Sequence, residues 1–287
     1  MKIQVKNLSF GYKSRPVLNL SDVQFEEGKA YGIVGKNGAG KTTFFKCLVN
    51  IITNYHGYVL IDQVEVRSNP SILSKVGIVL DDMSLYKSRS GMFNLRYFVG
   101  LRGELDATKI FKLADELGIA TVLDQKVSTY SLGMTKKLQL LISLISDAEI
   151  LIFDEPFRGL DSGTVDWFRD YLINLKNHGK TILISSHVQE DIEAISDNVF
   201  VLENGNFIKE FDLKDRNQEF IYTVGVNDKE RVKLLLKDFN RSFTEVGDLI
   251  RFNAFEEEYR RFFKQAIDQG IEFEQIKKEV QFTQFVR

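Results

Sequence analysis

Nine consecutive residues, Gly35-Lys-Asn-Gly-Ala-Gly-Lys-Thr-Thr43, carry the groups needed to grip a phosphate chain. They satisfy the pattern G-x-x-x-x-G-K-[ST], with Lys41 and Thr42 in the decisive places. Gly35, Gly38 and Gly40 let the backbone turn tightly, so the amides of Asn37, Ala39 and their neighbours can meet phosphate oxygens. A helix starting near Lys41 would aim its partially positive end at the same anion, beside Thr42 and Thr43. Lys41 adds a full charge for β- and γ-phosphates, and the Thr42 hydroxyl is suited to Mg²⁺.

A second set of groups could act on what this loop holds. Ile150-Leu-Ile-Phe153 ends in Asp154 and Glu155. A strand leaving a parallel sheet at its carboxyl end delivers its last side chains into the ligand crevice. Asp154 is then placed to hold Mg²⁺ on the nucleotide phosphates, and Glu155 to polarise an attacking water as general base. The alternative for such an acidic pair is a helix cap. Ser131 and Gly133, in Tyr130-Ser-Leu-Gly-Met-Thr-Lys-Lys137, precede an apolar helical pattern. Ser131 suits an N-cap, and the same helix start offers a second anion-binding terminus.

The elements that must position these groups can be read from periodicity. Ala30–Val34 reads as a buried strand before the loop and Phe44–Asn50 as helix after it, the strand–loop–helix order the cradle needs. Residues 2–8 alternate as a strand, residues 17–25 less strictly, and 57–62 and 75–80 read as further strands. From about Asp81 to Ser146 the pattern is helical, as in Phe93–Val99 and Lys109–Leu117. Buried strands return at 150–153 and 180–185, separated by a helix through Val165–Asn177. Apolar strands alternating with helices imply an α/β fold, a parallel sheet covered on both faces. Beyond about Lys209 the character changes: strands at 219–224, near 249–253 and near 271–273, with helices at 229–238 and 255–268, suggest a small α+β unit. Its boundary is expected within Asp212–Gln218. Phe262, Phe263 and Phe282–Phe285 read as core or dimer contacts.

Composition excludes several classes. Hydrophobic residues make up 44% of the 287, enough for a sizeable core, and the net charge of −2 gives no basic field, so no nucleic acid is expected. One cysteine, Cys47, allows no internal disulfide and reads as a small buried apolar residue; with three scattered histidines it makes no metal site. The first six residues are too polar for a signal segment. The greasiest stretch, 138–153, is interrupted by polar residues and falls short of the roughly 18 apolar residues of a membrane span. The expectation is a soluble, intracellular protein.

In chain order, the phosphate loop, Ser-x-Gly about 20 residues before a strand ending Asp154-Glu-Pro156, Gly159-Leu-Asp161 and Ile184-Ser-Ser-His187 resemble the ATP-binding-cassette ATPases. The resemblance, to the nucleotide-binding subunit of an ABC transporter, covers about residues 2–210. It implies a P-loop NTPase cassette at 1–212 with an inserted helical subdomain at about 81–146, and leaves 213–287 as a small accessory domain. It puts Lys41 and Thr42 on the Walker A positions, and Asp154 and Glu155 on the Walker B aspartate and catalytic glutamate. Asp161 falls on the D-loop aspartate, His187 on the switch histidine and Tyr12 on the aromatic that stacks on adenine. Two departures stand out. The signature, usually Leu-Ser-Gly-Gly-Gln, is Tyr130-Ser131-Leu132-Gly133-Met134, a form that looks like bacterial drug and antimicrobial-peptide exporters. Asp81 stands where the Q-loop glutamine belongs, as in the bacitracin and lantibiotic branch, and is carried here as a third metal-site candidate beside Thr42 and Asp154.

The resemblance further implies ATP and Mg²⁺ as ligands and a head-to-tail pair with a second copy or a paralogous cassette. Each nucleotide would be completed by the Ser131–Gly133 helix start of the other protomer. An integral membrane permease would be the partner, placing the chain at the cytoplasmic face of the membrane, with Met83, Leu85, Tyr86 and Phe93 as docking contacts. Two other readings compete: a soluble cassette ATPase acting on DNA or ribosomes, and a binding module whose hydrolysis is lost. The first usually shows coiled-coil insertions or tandem cassettes, absent here; intact Lys41, Asp154, Glu155 and His187 argue against the second.

Overall fold

In β1 (Ile3–Tyr12) the residues Ile3, Val5, Leu8 and Phe10 turn inward, and the strand pairs antiparallel with β2 (Arg15–Leu20) and β3 (Val23–Phe25). The computed structural model describes residues 2–100, 106–215 and 218–285. β4 (Ala30–Val34) is buried at every position, as a strand covered on both faces must be; it runs through the glycine loop into α1 (Lys41–Leu48). β5 (His56–Ile61) returns to pair with β1, and β6 (Val64–Glu65) pairs with β5. After β7 (Val76–Val79) come α2 (Gly91–Gly100), α3 (Ala107–Glu116) and α4 (Leu132–Ile145). β8 (Ile150–Asp154), α5 (Ser162–Asn177), β9 (Thr181–Ser185), α6 (Gln189–Ile195), β10 (Asn198–Glu203) and β11 (Asn206–Asp212) follow.

The main sheet has the order β11-β10-β4-β9-β8-β7, parallel except for the β10–β11 hairpin. Its parallel strands end at one edge, which sets Gly35, Glu155 and His187 beside one another in the crevice where α/β sheets bind ligands. Phe25, Tyr31, Phe44 and Phe200 interlock between this sheet and the β1 sheet, largely edge to face or tilted. Cys47 lies in this core as a free thiol, and burial pushes its pKa up to about 12. Two strands that no periodicity announced, β10 and β11, complete this sheet.

Residues 81–90 are irregular rather than helical, and α2 begins only at Gly91. Buried Asn94 explains the difference: its side chain accepts from the Tyr86 N–H (2.7 Å) and donates to the Tyr86 and Ser90 carbonyls, tying the loop to the helix. Of the four expected docking contacts, Leu85 is therefore a correction, since it is buried, and Met83 is half-buried against the core. Tyr86 and Phe93 remain exposed, joined by Tyr97. The stretch 17–25 divides into two strands at the Ser21-Asp22 break instead of running as one.

Cα packing divides the chain into two units, one of residues 1–213 with 285–287, the other of 214–284. In the second, β12 (Glu219–Val226), α7 (Lys229–Asp238), β13 (Phe243–Val246), β14 (Leu249–Phe255), α8 (Glu256–Asp268) and β15 (Phe273–Val280) follow in turn. The sheet order β13-β14-β12-β15, antiparallel throughout, is that of a ferredoxin-like split βαβ unit. β15 starts at Phe273 and runs to Val280, later than the expected 271–273, because Gly270 in a left-handed turn (φ 77°) still belongs to the helix exit. Phe262 is buried here; Phe282 is buried as well, on a short 3₁₀ turn at 281–285. Among the described residues no helix is long and apolar enough to cross a membrane.

Candidate functional site

The glycine loop is fixed where only glycine fits. A Cβ on Gly35 would lie 2.2 Å from the Leu202 carbonyl oxygen, and Gly40 has φ 112° directly before α1. Lys41, the first residue of α1, is buried, and its Nζ donates to the Gly35 carbonyl at 2.6 Å. Burial lowers its pKa, while Glu155 and Asp154 work in the opposite direction. Next to it the Thr42 hydroxyl donates to Asp154 Oδ2 at 2.5 Å. The other carboxylate oxygen of Asp154 accepts from the Ser185 hydroxyl at 2.6 Å. The register that pairs Asp154 with Ser185 across β8 and β9 makes this contact.

Glu155 has a left-handed backbone (φ 49°), a conformation that costs free energy in a non-glycine residue and clusters at functional sites. Its N–H donates to the Ser185 carbonyl and hydroxyl, which holds the turn. The carboxylate meets His187 twice: Oε2 accepts from the His187 N–H at 3.3 Å, and Oε1 lies 3.2 Å from Nε2. Oε1 is buried without a hydrogen bond, an acceptor awaiting a donor. Burial raises the Glu155 pKa; His187 and Lys41 hold it down and Asp154 adds to the rise.

A cleft of about 720 Å³ gathers these groups. Tyr12, Asn37, Gly38, Ala39, Gly40, Lys41, Thr42, Thr43, Asp81, Asp154, Glu155 and His187 all line it, and Gly35 faces an adjoining smaller cavity with Asn37, Gly38 and Ala39. Tyr12, at the end of β1, is 51% exposed and braced edge to face by Phe10. A half-exposed ring at the rim is free to stack on a flat ligand. Asp81 follows β7 with its carboxylate taken up by cations: Arg158 Nη1 donates to Oδ2 at 3.2 Å, and Lys136 Nζ lies 4.0 Å from Oδ1. Thr42 and Asp154 present hard oxygens of the kind Mg²⁺ takes. Among the described residues no group of three or more His, Cys, Asp or Glu could hold an ion unaided. The donor set therefore fits a metal that arrives with phosphate oxygens.

Ser131, Gly133 and Asp161 do not line that cleft. Ser131 caps α4, accepting from the Met134 N–H at 3.1 Å, and is exposed. Gly133 packs so closely on the 159 turn that a Cβ would come within 2.8 Å of the Gly159 carbonyl oxygen. Asp161 caps α5 through Thr164 and pairs with Lys137 at 2.8 Å; Lys137 and then Thr164 hold its carboxyl well below the usual range. The chain thus carries two separate surfaces, the cleft and an exposed helix tip. Two residues were not singled out by type and spacing: Ser185, which bonds the Asp154 carboxylate and the Glu155 backbone N–H, and Arg158, which lines the cleft. A serine ending a buried strand is the only signal for the first, and a lone arginine in a glycine turn the only one for the second.

A family model described as ABC transporter matches residues 18–158. The chain is 30% identical over 231 residues to the lantibiotic transport ATP-binding protein SrtF of Streptococcus pyogenes, covering 80% of this chain and 100% of that protein. It is also 30% identical to the bacitracin transport ATP-binding protein BcrA of Enterococcus faecalis, over 93% of this chain and 97% of its relative. A solved ATP-binding subunit of an ABC transporter superposes with a TM-score of 0.69 at 24% identity, over 75% of this chain and 92% of the other. A dimeric ATP-binding cassette bound to ADP and Pi superposes with a TM-score of 0.66 at 19% identity, over 74% of this chain and 99% of the other. At those identities the structural likeness speaks for the fold.

Proposed function

The chain belongs to the ABC transporter family and is an ATPase, and from that premise we propose that it drives a separate membrane permease exporting peptide antibiotics or related toxins. The transport named for the lantibiotic and bacitracin relatives supports the substrate class. The observation that carries the reading is the convergence of the Lys41 loop, the Thr42–Asp154 pair and the Glu155–His187 pair on one cleft.

In this reading Tyr12 stacks on adenine, the loop amides and Lys41 hold the β- and γ-phosphates, and His187 contacts the γ-phosphate. Thr42 and Asp154 would hold Mg²⁺, which when bound neutralises charge on the phosphates. Glu155 orients a water whose oxygen bonds to the γ-phosphorus as the bond to the bridging oxygen breaks. The proton passes to Glu155, and ADP and phosphate leave. Ser131 and Gly133 belong to the same reaction in a second cassette, arranged head to tail, where the α4 tip closes the partner's nucleotide. Asp161 fixes the turn against which that tip rests.

Tyr86, Phe93 and Tyr97 form the docking patch for the permease; Phe93 and Tyr97 stack and Tyr86 meets both edge to face while all three stay exposed, with Arg89 5.1 Å over Phe93. Purification of the tagged chain from membranes of its own cells is the test. The expected result is a polytopic membrane protein in complex, lost on replacing Tyr86 and Tyr97 with Asp, and cells sensitised to peptide antibiotics by Lys41→Ala. A chain found only in the soluble fraction, with no membrane partner, would overturn it.

A further inference from the structure

Asp81 and Arg158 form a pair at the mouth of the cleft that the reaction as described does not use. A carboxylate beside bound triphosphate is a repulsive group, and Asp81 lines the same cleft as Lys41, Asp154 and Glu155. Its charge is met by Arg158 at 3.2 Å and by the buried Lys136 at 4.0 Å. Arg158 sits three residues beyond Glu155, in a turn closed by its own N–H donating to the Glu155 carbonyl. Its side chain is 70% exposed, and among the described residues its guanidinium donates to Asp81 alone. A guanidinium has five N–H donors in a planar fork that matches phosphate oxygens. The remaining donors therefore face a cleft built to receive phosphate.

We propose that Arg158 is a nucleotide-binding residue selective for the terminal phosphate of ATP, with Asp81 as the counterion that holds its guanidinium when no triphosphate is present. The inference rests on the ATPase reading of the cleft. On triphosphate binding the guanidinium exchanges or shares its carboxylate partner with γ-phosphate oxygens, while Lys136 continues to neutralise Asp81. Because Arg158 is linked through its turn to Glu155, occupancy of the terminal phosphate position is felt at the hydrolytic carboxylate. ADP lacks the group that Arg158 reads.

Affinities of the purified chain for a non-hydrolysable ATP analogue and for ADP, measured by calorimetry with Mg²⁺, test this on wild type, Arg158→Ala, Asp81→Asn and the double variant. Arg158→Ala should weaken the triphosphate about tenfold and ADP by less than about twofold, the loss expected for one charged contact. Asp81→Asn alone should leave triphosphate binding equal or tighter. In the double variant, removal of the exposed carboxylate should recover at least about threefold of the loss, a coupling that a double-mutant cycle reads directly. Equal weakening of both nucleotides, no weakening of either, or additive losses would overturn the inference. So would a raised Mg²⁺ requirement in Asp81→Asn, which would make Asp81 a metal ligand instead. If Arg158→Ala does not fold, Arg158→Gln and Arg158→Lys carry the same comparison, with Lys retaining most of the preference. Failure of the wild type to bind either nucleotide would instead sink the ATPase reading itself.

Discussion

Glu155 concentrates three features that rarely coincide by accident: a strained left-handed backbone, a half-buried carboxylate with one buried oxygen that makes no hydrogen bond, and a histidine at 3.2 Å. The strained backbone is held by two bonds from the Glu155 N–H to Ser185, so the turn does not depend on the charge of the side chain. Glu155→Gln should therefore fold normally, since glutamine has the same shape and bears the same left-handed cost. Its amide cannot take a proton from water. Steady-state phosphate release should fall by ~100-fold or more, in the range of a lost general base, while Mg·ATP binding persists. Turnover within a few-fold of wild type would remove Glu155 from the role of base. The same residue marks what composition and spacing could reveal. Its candidacy was legible as a strand ending in two acids, whereas the brace from Ser185 depends on the register between strands some 30 residues apart, which no local pattern encodes.

At the scale of elements, the parallel strands were legible because burial on both faces leaves unbroken apolar runs such as Ile150–Phe153 and Ile182–Ile184. The loop after β7 was not, because Asn94 and Gln139 hold it from other elements, Gln139 Nε2 donating to the Met83 carbonyl at 2.6 Å. The start of α4 shows one element serving two ends. Ser131 caps the helix, and in the proposed dimer the same tip meets a partner's phosphate. Substitution separates the two duties. Ser131→Ala should lower unfolding free energy by ~1 kcal/mol, the usual value of a lost cap. Ser131→Asp should keep stability close to wild type, because aspartate caps as well as serine. It would, however, aim a carboxylate at phosphate, and like charges brought together cost several kcal/mol. Turnover should then drop at least ~10-fold with an unchanged melting temperature. An aspartate variant with normal turnover would leave Ser131 a cap and nothing more.

For the whole molecule, the two units have separate apolar cores: Phe25, Phe44 and Phe200 belong to one, Tyr222, Phe252 and Phe262 to the other. The cassette could be recognised because its chemistry is written in short motifs; the ferredoxin-like order of the second unit could not, since strand order is fixed by pairings such as β12 with β15 that sequence alternation does not specify. Separate cores predict separable unfolding. Phe262 is 2% exposed and packs against Phe239, Phe252 and Phe273. Phe262→Ala should cost ~3–5 kcal/mol, comparable to the whole stability of a domain this small. The damage should be confined to residues 214–284. Urea unfolding followed by aromatic circular dichroism is expected to show an early transition for the variant, unmoved by Mg·ATP. A later transition should be shifted upward by the nucleotide through linkage to the cassette. One transition in which both cores unfold together, moved as a whole by nucleotide, would mean that the second unit is energetically part of the ATPase.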